Sequence, residues 1–190
     1  MSQKKDREKV LFFRESAFRV ARLIFNYPNR TFHIRMLERE VKLSTTAIKE
    51  AVKQLEYFKI IKAEKTPLTT DIKADTDSEA YRFYKTIFNL YRLKRYSFAD
   101  NLVDAYNNPE AVVLFGSFAK GEDIEGSDVD ILIITQSKPK YNIDKMVSIF
   151  EKELNRKINI HTISSLKKSS DEFRNALANG IVLHGYLKVV

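Results

Sequence analysis

Val112-Val-Leu-Phe-Gly-Ser-Phe-Ala-Lys-Gly-Glu-Asp-Ile-Glu-Gly-Ser-Asp-Val-Asp-Ile-Leu-Ile-Ile134 is the stretch on which the fold turns. It reads as an apolar strand, a Gly-Ser turn, a short loop and a second apolar strand that opens with two aspartates. Asp128 and Asp130 are two residues apart, so in an extended chain both carboxylates point to one face. Paired carboxylates on an otherwise buried strand repel each other unless a cation lies between them. Gly116-Ser117 would bring backbone N–H groups and a hydroxyl to the same end of the sheet. Together these groups suit a metal-bound polyphosphate.

Gly116-Ser117, ten intervening residues, then Asp128-Val-Asp130 resembles the glycine-serine/paired-aspartate signature of the polymerase-β-like nucleotidyltransferases. Lys120-Gly121 in the loop and Ser127 before the first aspartate make it most similar to the minimal (MNT-type) branch, over about Asn89 to Val190. The resemblance implies an NTP substrate and Mg²⁺ or Mn²⁺. It makes Asp128 and Asp130 catalytic metal ligands, and assigns nucleotide binding to Gly116, Ser117 and Lys120. A third carboxylate is usual in that family on a neighbouring strand in an apolar-Asp-apolar context. Here that strand reads Lys157-Ile-Asn-Ile-His-Thr-Ile163, so the third metal position falls to Asn159 or His161. Neither is a carboxylate, and asparagine is a neutral, weaker ligand for magnesium.

The rest of the 190-residue chain has room for two small domains. It contains no cysteine, which excludes disulfides and thiolate metal sites and fits a cytoplasmic protein. No apolar run approaches the ~20 residues of a membrane span. The polar opening MSQKKDREK does not read as a signal peptide. Of the net charge of +8, seven units fall in residues 1–89 and one in residues 90–190. A surface seeking polyanions therefore belongs to the N-terminal half.

In that half, Val10, Phe13, Ala17, Val20, Ala21 and Ile24 follow helical spacing from Val10 to Tyr27. A short helix is expected over His33 to Val41. A third is expected over Thr45 to Phe58, N-capped by Ser44, with Ile48, Val52 and Leu55 inward. Ile60–Lys65 alternates as a strand, and Ala80–Lys85 is expected to return as its hairpin partner, with an acidic tip at Asp71, Asp75, Asp77 and Glu79. Three helices and a hairpin, over about Lys9 to Thr86, resemble a winged helix-turn-helix domain. The resemblance implies that the third helix reads a DNA groove. Thr45, Thr46, Lys49 and Lys53 fall off the apolar stripe, and Arg35 joins them as a phosphate candidate. Glu50 is awkward on such a face, and an acidic hairpin tip is a poor phosphate contact.

In the C-terminal half a connecting helix is expected over Leu90 to Tyr106, and strands over Ala111–Phe115, Val129–Thr135 and Lys157–Ile163. Helices are expected over Asn142–Asn155 and from Ser164 or Ser165 to Asn179, followed by a short Gly180–Tyr186 tail. The expected protein is α+β or α/β: a winged helix-turn-helix domain (1–88), then a polymerase-β-like domain (89–190, connecting helix 89–107) with a small mixed sheet and flanking helices. Two functional readings follow. One is a nucleotidyltransferase moving NMP from NTP to an acceptor hydroxyl, coupled to double-stranded DNA binding. The other is a DNA-binding regulator or antitoxin-like protein whose nucleotidyltransferase domain is catalytically degenerate and only binds nucleotide or dimerises. The partners implied are a nucleoside triphosphate, DNA, a protein such as a toxin, and a second copy of the chain.

Overall fold

The computed structural model describes residues 13–188. The first helix, α1, spans Glu15–Asn26, so it starts later than expected; Lys9 and Val10 lie outside the described residues. It is followed by β1 (Phe32–His33), α2 (Ile34–Val41) and α3 (Thr45–Tyr57). The Ser44 hydroxyl accepts from the Ala47 N–H and stops α3 from fraying at its start. Lys42, in a left-handed conformation, makes the sharp turn between α2 and α3.

The hairpin differs from expectation. Its strands are β2 (Ile61–Lys65) and β3 (Thr70–Ala74), antiparallel, with β1 added beyond β3. Only Ile72 of β3 is buried, so the strand carries no apolar alternation and reads as loop. Its tip is Thr66–Thr69, closed by mutual hydrogen bonds of Thr66 and Thr69. The acidic residues lie elsewhere. Asp71 meets His33 at 3.2 Å, Asp75 holds Lys62 at 2.7 Å, and Glu79 is helical.

Residues 80–85, expected as a strand, are helical. They belong to α4 (Glu79–Arg95), capped by the Ser78 hydroxyl accepting from Tyr81 N–H. Tyr81, Lys85, Phe88 and Asn89 repeat at three-to-four spacing on its buried side, and this period prevails over the local Tyr-Arg-Phe-Tyr alternation. The expected connecting helix is broken in two: α4 ends at Arg95, and α5 runs Phe98–Ala105. The corner between them is Ser97 at φ 52°. A division after residue 88 therefore falls inside α4. Tyr81 and Phe88 pack into the N-terminal core with Ile24, Phe25, Ile48 and Leu55, while Leu93 packs into the C-terminal core.

The C-terminal half is a four-stranded mixed sheet, ordered β6-β5-β4-β7. Here β4 is Ala111–Phe115, β5 Val129–Ile134, β6 Ile158–Ile163 and β7 Ile181–Gly185. The β4 strand is antiparallel to β5 and β7, and β5 is parallel to β6. The crossover to β6 is α7 (Asp144–Leu154), and the turn after β4 is α6 (Gly116–Lys120). One face of the sheet buries Val112, Leu114, Val129, Ile131 and Ile133 against α5, α6 and α7. The other buries Val113, Leu132 and Ile134 under Leu177 of α8 (Asp171–Ala178). The expected helix from Ser164 or Ser165 is divided. Ser165 caps a single turn at Leu166–Lys168, and Ser170 caps α8. No helix among the described residues is long and apolar enough to cross a membrane.

Candidate active site

The last residue of β4, Phe115, lies opposite Asp130 of β5, and Asp130 lies opposite Asn159 of β6. Gly116, Asp130 and Asn159 are thus side by side on three adjacent segments. Gly116 adopts φ +74°, and a Cβ there would come within 2.6 Å of the Asp130 Oδ2. Glycine is needed twice over: for the left-handed backbone, and for the carboxylate that closes on it.

Asp128 and Asp130 face the same way, as their two-residue spacing predicts. The Asn159 side-chain amide donates to the Asp128 Oδ2 and to the Asp130 Oδ1, each at 3.1 Å. The two carboxylates are therefore bridged by a neutral group and, among the described residues, form no ion pair. Each is half-buried. Among the described residues no three acidic or histidine side chains form a metal-site cluster. The donor set still suits a divalent ion of the magnesium type. Such ions are usually held by one or two carboxylates together with substrate phosphates rather than by a full protein cage. Asp128 and Asp130 would hold it, and the Asn159 amide would have to turn its oxygen inward to add a neutral donor.

The structure places the remaining sequence candidates unequally. Ser117 is half-buried in the first turn of α6, beside Gly116. Lys120 is exposed at the end of α6 and makes no ion pair among the described residues. His161 lies on the Asp130–Asn159 face but packs against the rings of Phe115 and Phe173, at 5.6 and 6.3 Å. Among the described residues nothing ties it to the carboxylates. A cavity of about 470 Å³ lined by Ile134, Leu166, Leu177 and Leu187 lies at the opposite end of β5, about 13 Å of strand away from Asp130.

Sequence reasoning missed the groups that fix the loop between Gly116 and Asp128. Asp123, in that loop, is 2% exposed; its carboxylate lies 3.4 Å from the Lys85 ammonium and 3.8 Å from the Arg156 guanidinium. Lys85 also donates to the Asp123 carbonyl. Asn89 donates to the Asp123 carboxylate at 2.8 Å and to the Phe118 carbonyl at 2.9 Å. Burial pushes the Lys85 ammonium below its usual pKa, and the nearby Asp123 opposes that shift. Gly121 sits directly against the Arg82 carbonyl of α4, with no space for a side chain. A buried lysine in an otherwise amphipathic helix has no periodic signature; only its pairing partner, 38 residues on, explains it.

Along α3, Thr45, Thr46, Lys49 and Lys53 are exposed, as is Arg35 of α2. Glu50 is exposed too and lies 4.0 Å from Arg14.

Residues 99–186, from α5 through β7, match the family model of polymerase beta, nucleotidyltransferase. That span contains Gly116, Ser117, Asp128, Asp130 and Asn159. A protein of Methanocaldococcus jannaschii named as a candidate protein adenylyltransferase is 42% identical over 48 residues, which is 25% of this chain and 28% of that protein. The match thus spans under a third of that relative. Both likenesses are to proteins of the polymerase-β nucleotidyltransferase kind, and the family match covers residues 99–186.

Proposed function

We propose that the protein transfers a nucleoside monophosphate from an NTP to an acceptor hydroxyl at Asp128 and Asp130, and that its N-terminal half is a DNA-binding winged helix. The observation that carries the transferase reading is the closure of the Asp130 carboxylate over Gly116 at the end of β4, with Asp128 joined to it through the Asn159 amide. The name of the archaeal relative favours ATP as donor and a protein hydroxyl as acceptor.

In this reaction the acceptor oxygen bonds to the α-phosphorus, the bond to the bridging oxygen breaks, and pyrophosphate leaves. A divalent ion, when bound, offsets the charge that gathers on the phosphate oxygens. Asp128 and Asp130 hold that charge balance in place. Gly116 and Ser117 offer backbone N–H groups and a hydroxyl to the phosphates, with no side chain at 116 to obstruct them. The Asn159 amide orients both carboxylates but cannot take a proton. The proton of the attacking hydroxyl therefore passes to an aspartate of the pair or to water.

Asn159 also favours a second reading, in which the domain binds nucleotide without turnover and serves the N-terminal half as a sensor. The test uses α-labelled ATP, Mg²⁺ or Mn²⁺ and cell protein as the acceptor pool. The first reading expects label transfer by the wild type and none by Asp128→Asn/Asp130→Asn. It also expects about tenfold faster transfer by Asn159→Asp, which restores a third carboxylate. Metal-dependent nucleotide binding with no transfer by any variant selects the second reading.

A further inference from the structure

One local pattern, aromatic-Arg-x-x-Arg, occurs on two helices: Phe18-Arg-Val-Ala-Arg22 in α1 and Tyr91-Arg-Leu-Lys-Arg95 in α4. Its first, second and fifth positions share one side of a helix. The fold brings the two copies together. The rings of Phe18 and Tyr91 meet edge to face at 6.2 Å, and all four arginines line one cavity of about 300 Å³ between α1, α4 and the end of α7. The lining carries four arginines against two glutamates, Glu40 and Glu153, an excess of two positive charges. Glu40 is already engaged by Arg30, at 2.8 Å. Among the described residues Arg22, Arg92 and Arg95 form no ion pair, and Arg19 meets only the exposed Glu15, at 3.4 Å. Arg92 is half-buried and donates to neutral acceptors: the Asn26 side-chain oxygen at 3.2 Å, the Glu153 carbonyl at 3.1 Å and the Leu154 carbonyl. Burial, with Arg156 nearby, pushes its pKa down. A guanidinium desolvated among neutral groups lacks the counter-charge that burial normally demands.

We propose that this cavity binds a nucleoside monophosphate at a site separate from the catalytic one, the arginines taking the phosphate and the rings of Phe18, Tyr91 and Tyr96 serving the base. Guanidinium forks match phosphate oxygens two at a time, which a carboxylate-poor cluster of arginines leaves them free to do. Aromatic side chains beside such a cluster suit a planar base, whereas inorganic phosphate would use the arginines alone. The volume lies at the lower end of small-molecule sites. No residue of α3 lines the cavity, which separates it from the helix that would read a duplex. It is also remote from the carboxylates. Helix α7 packs on the sheet face of Ile131 and Ile133, while Asp128 and Asp130 share the other face with Leu132. The proposal therefore stands whether or not the carboxylates transfer nucleotide. Because Arg92 is tied to the ends of α1 and α7, a phosphate held there joins the two halves of the chain.

Nucleotide at the aspartates requires a divalent ion, and the arginines do not. The test is titration calorimetry of the full chain with AMP in EDTA. The expected result is one AMP per chain with a Kd below about 1 mM, weakening as salt rises, and a higher melting temperature with AMP present. Adenosine and inorganic phosphate should each bind at least tenfold more weakly. Arg22→Gln and Arg95→Gln, both at exposed positions, should each weaken AMP at least tenfold with an unchanged circular dichroism spectrum. Asp128→Asn/Asp130→Asn should leave AMP binding as it is. No heat of binding at about 1 mM AMP overturns the proposal, as does binding that ignores both arginine variants. Loss of binding in the aspartate variant would move AMP to the catalytic site. Phosphate that binds as tightly as AMP would remove the base from the site. A duplex that displaces AMP and weakens in the same arginine variants would give these arginines to a nucleic-acid backbone. Each of these three results also overturns the proposal.

Discussion

Gly116 and Asp130 show how much of the site depends on single atoms. The carboxylate oxygen occupies the space where any other residue at 116 would place its Cβ. Gly116→Ala must shift the aspartate and hold alanine in a left-handed backbone, which costs about 1–2 kcal/mol in stability. Nucleotidyl transfer should fall at least 100-fold, far more than the modest drop in melting temperature, because the carboxylate pair itself moves. Tyr81 is a second case. Its ring is buried, and its hydroxyl has no hydrogen-bond partner among the described residues. Burial, with Asp123 and Glu125 nearby, pushes its pKa upward. The folded protein therefore keeps that proton to higher pH than the unfolded chain, whose tyrosine ionises near 10. The sign follows: this group's contribution is intact below pH 10 and declines as the pH rises beyond it. Tyr81→Phe should leave stability at pH 7 unchanged or slightly higher and lessen the alkaline loss, as urea titrations at pH 7 and pH 11 would show.

At the scale of elements, the hairpin and α3 bear on the N-terminal half together. A hairpin with an acidic tip would be a poor neighbour for phosphate. The tip is Thr66-Pro67-Leu68-Thr69 beside Lys65; Asp71 pairs with His33, Asp75 and Asp77 lie against Lys62, and Glu79 starts α4. The tip itself therefore carries no carboxylate, and Glu50 lies 4.0 Å from Arg14 on an exposed surface. If α3 and the hairpin bind duplex, affinity should fall steeply with salt, since counterion release drives it. Lys49→Glu/Lys53→Glu should weaken binding at least tenfold and flatten the salt slope by about two units. Fluorescence anisotropy on a labelled duplex at several ionic strengths measures both quantities. Duplex binding that ignores salt and these lysines would remove α3 as the reading element.

Over the whole molecule, α4 joins two cores into one structure. Its buried side meets the N-terminal helices, and its Lys85 and Asn89 hold the loop that runs from α6 to Asp128. Arg156, in the turn between α7 and β6, completes the link by donating to the Asn26 carbonyl at the end of α1. Charges buried this deeply cost energy to desolvate, and removing one partner strands the other. Lys85→Met should destabilise the fold by about 3 kcal/mol, because Asp123 loses its ammonium partner. Calorimetry of the wild type should show one cooperative transition rather than two, since neither core is complete without α4. Separate melting of the halves would mean that the buried network adds little coupling.

The sequence by itself determined the local features: the two-residue spacing that puts Asp128 and Asp130 on one face, the Gly116-Ser117 turn, the Ser44 cap, and the apolar strands β4 and β5. Each depends on backbone geometry within a few residues, so pattern alone reveals it. The tertiary structure decided the rest. Residues 80–85 alternate like a strand, yet they became helix because Tyr81, Lys85 and Phe88 found burial on one side of α4. The strand β3 is polar and forms because β1 and β2 pair with it from either side. Asn159 was legible as the residue on the neighbouring strand, but its hydrogen bonds to both carboxylates exist only through the parallel register of β5 and β6. The clamp of Lys85, Asn89 and Arg156 on Asp123 joins groups at least 33 positions apart, a long-range interaction that no local period encodes.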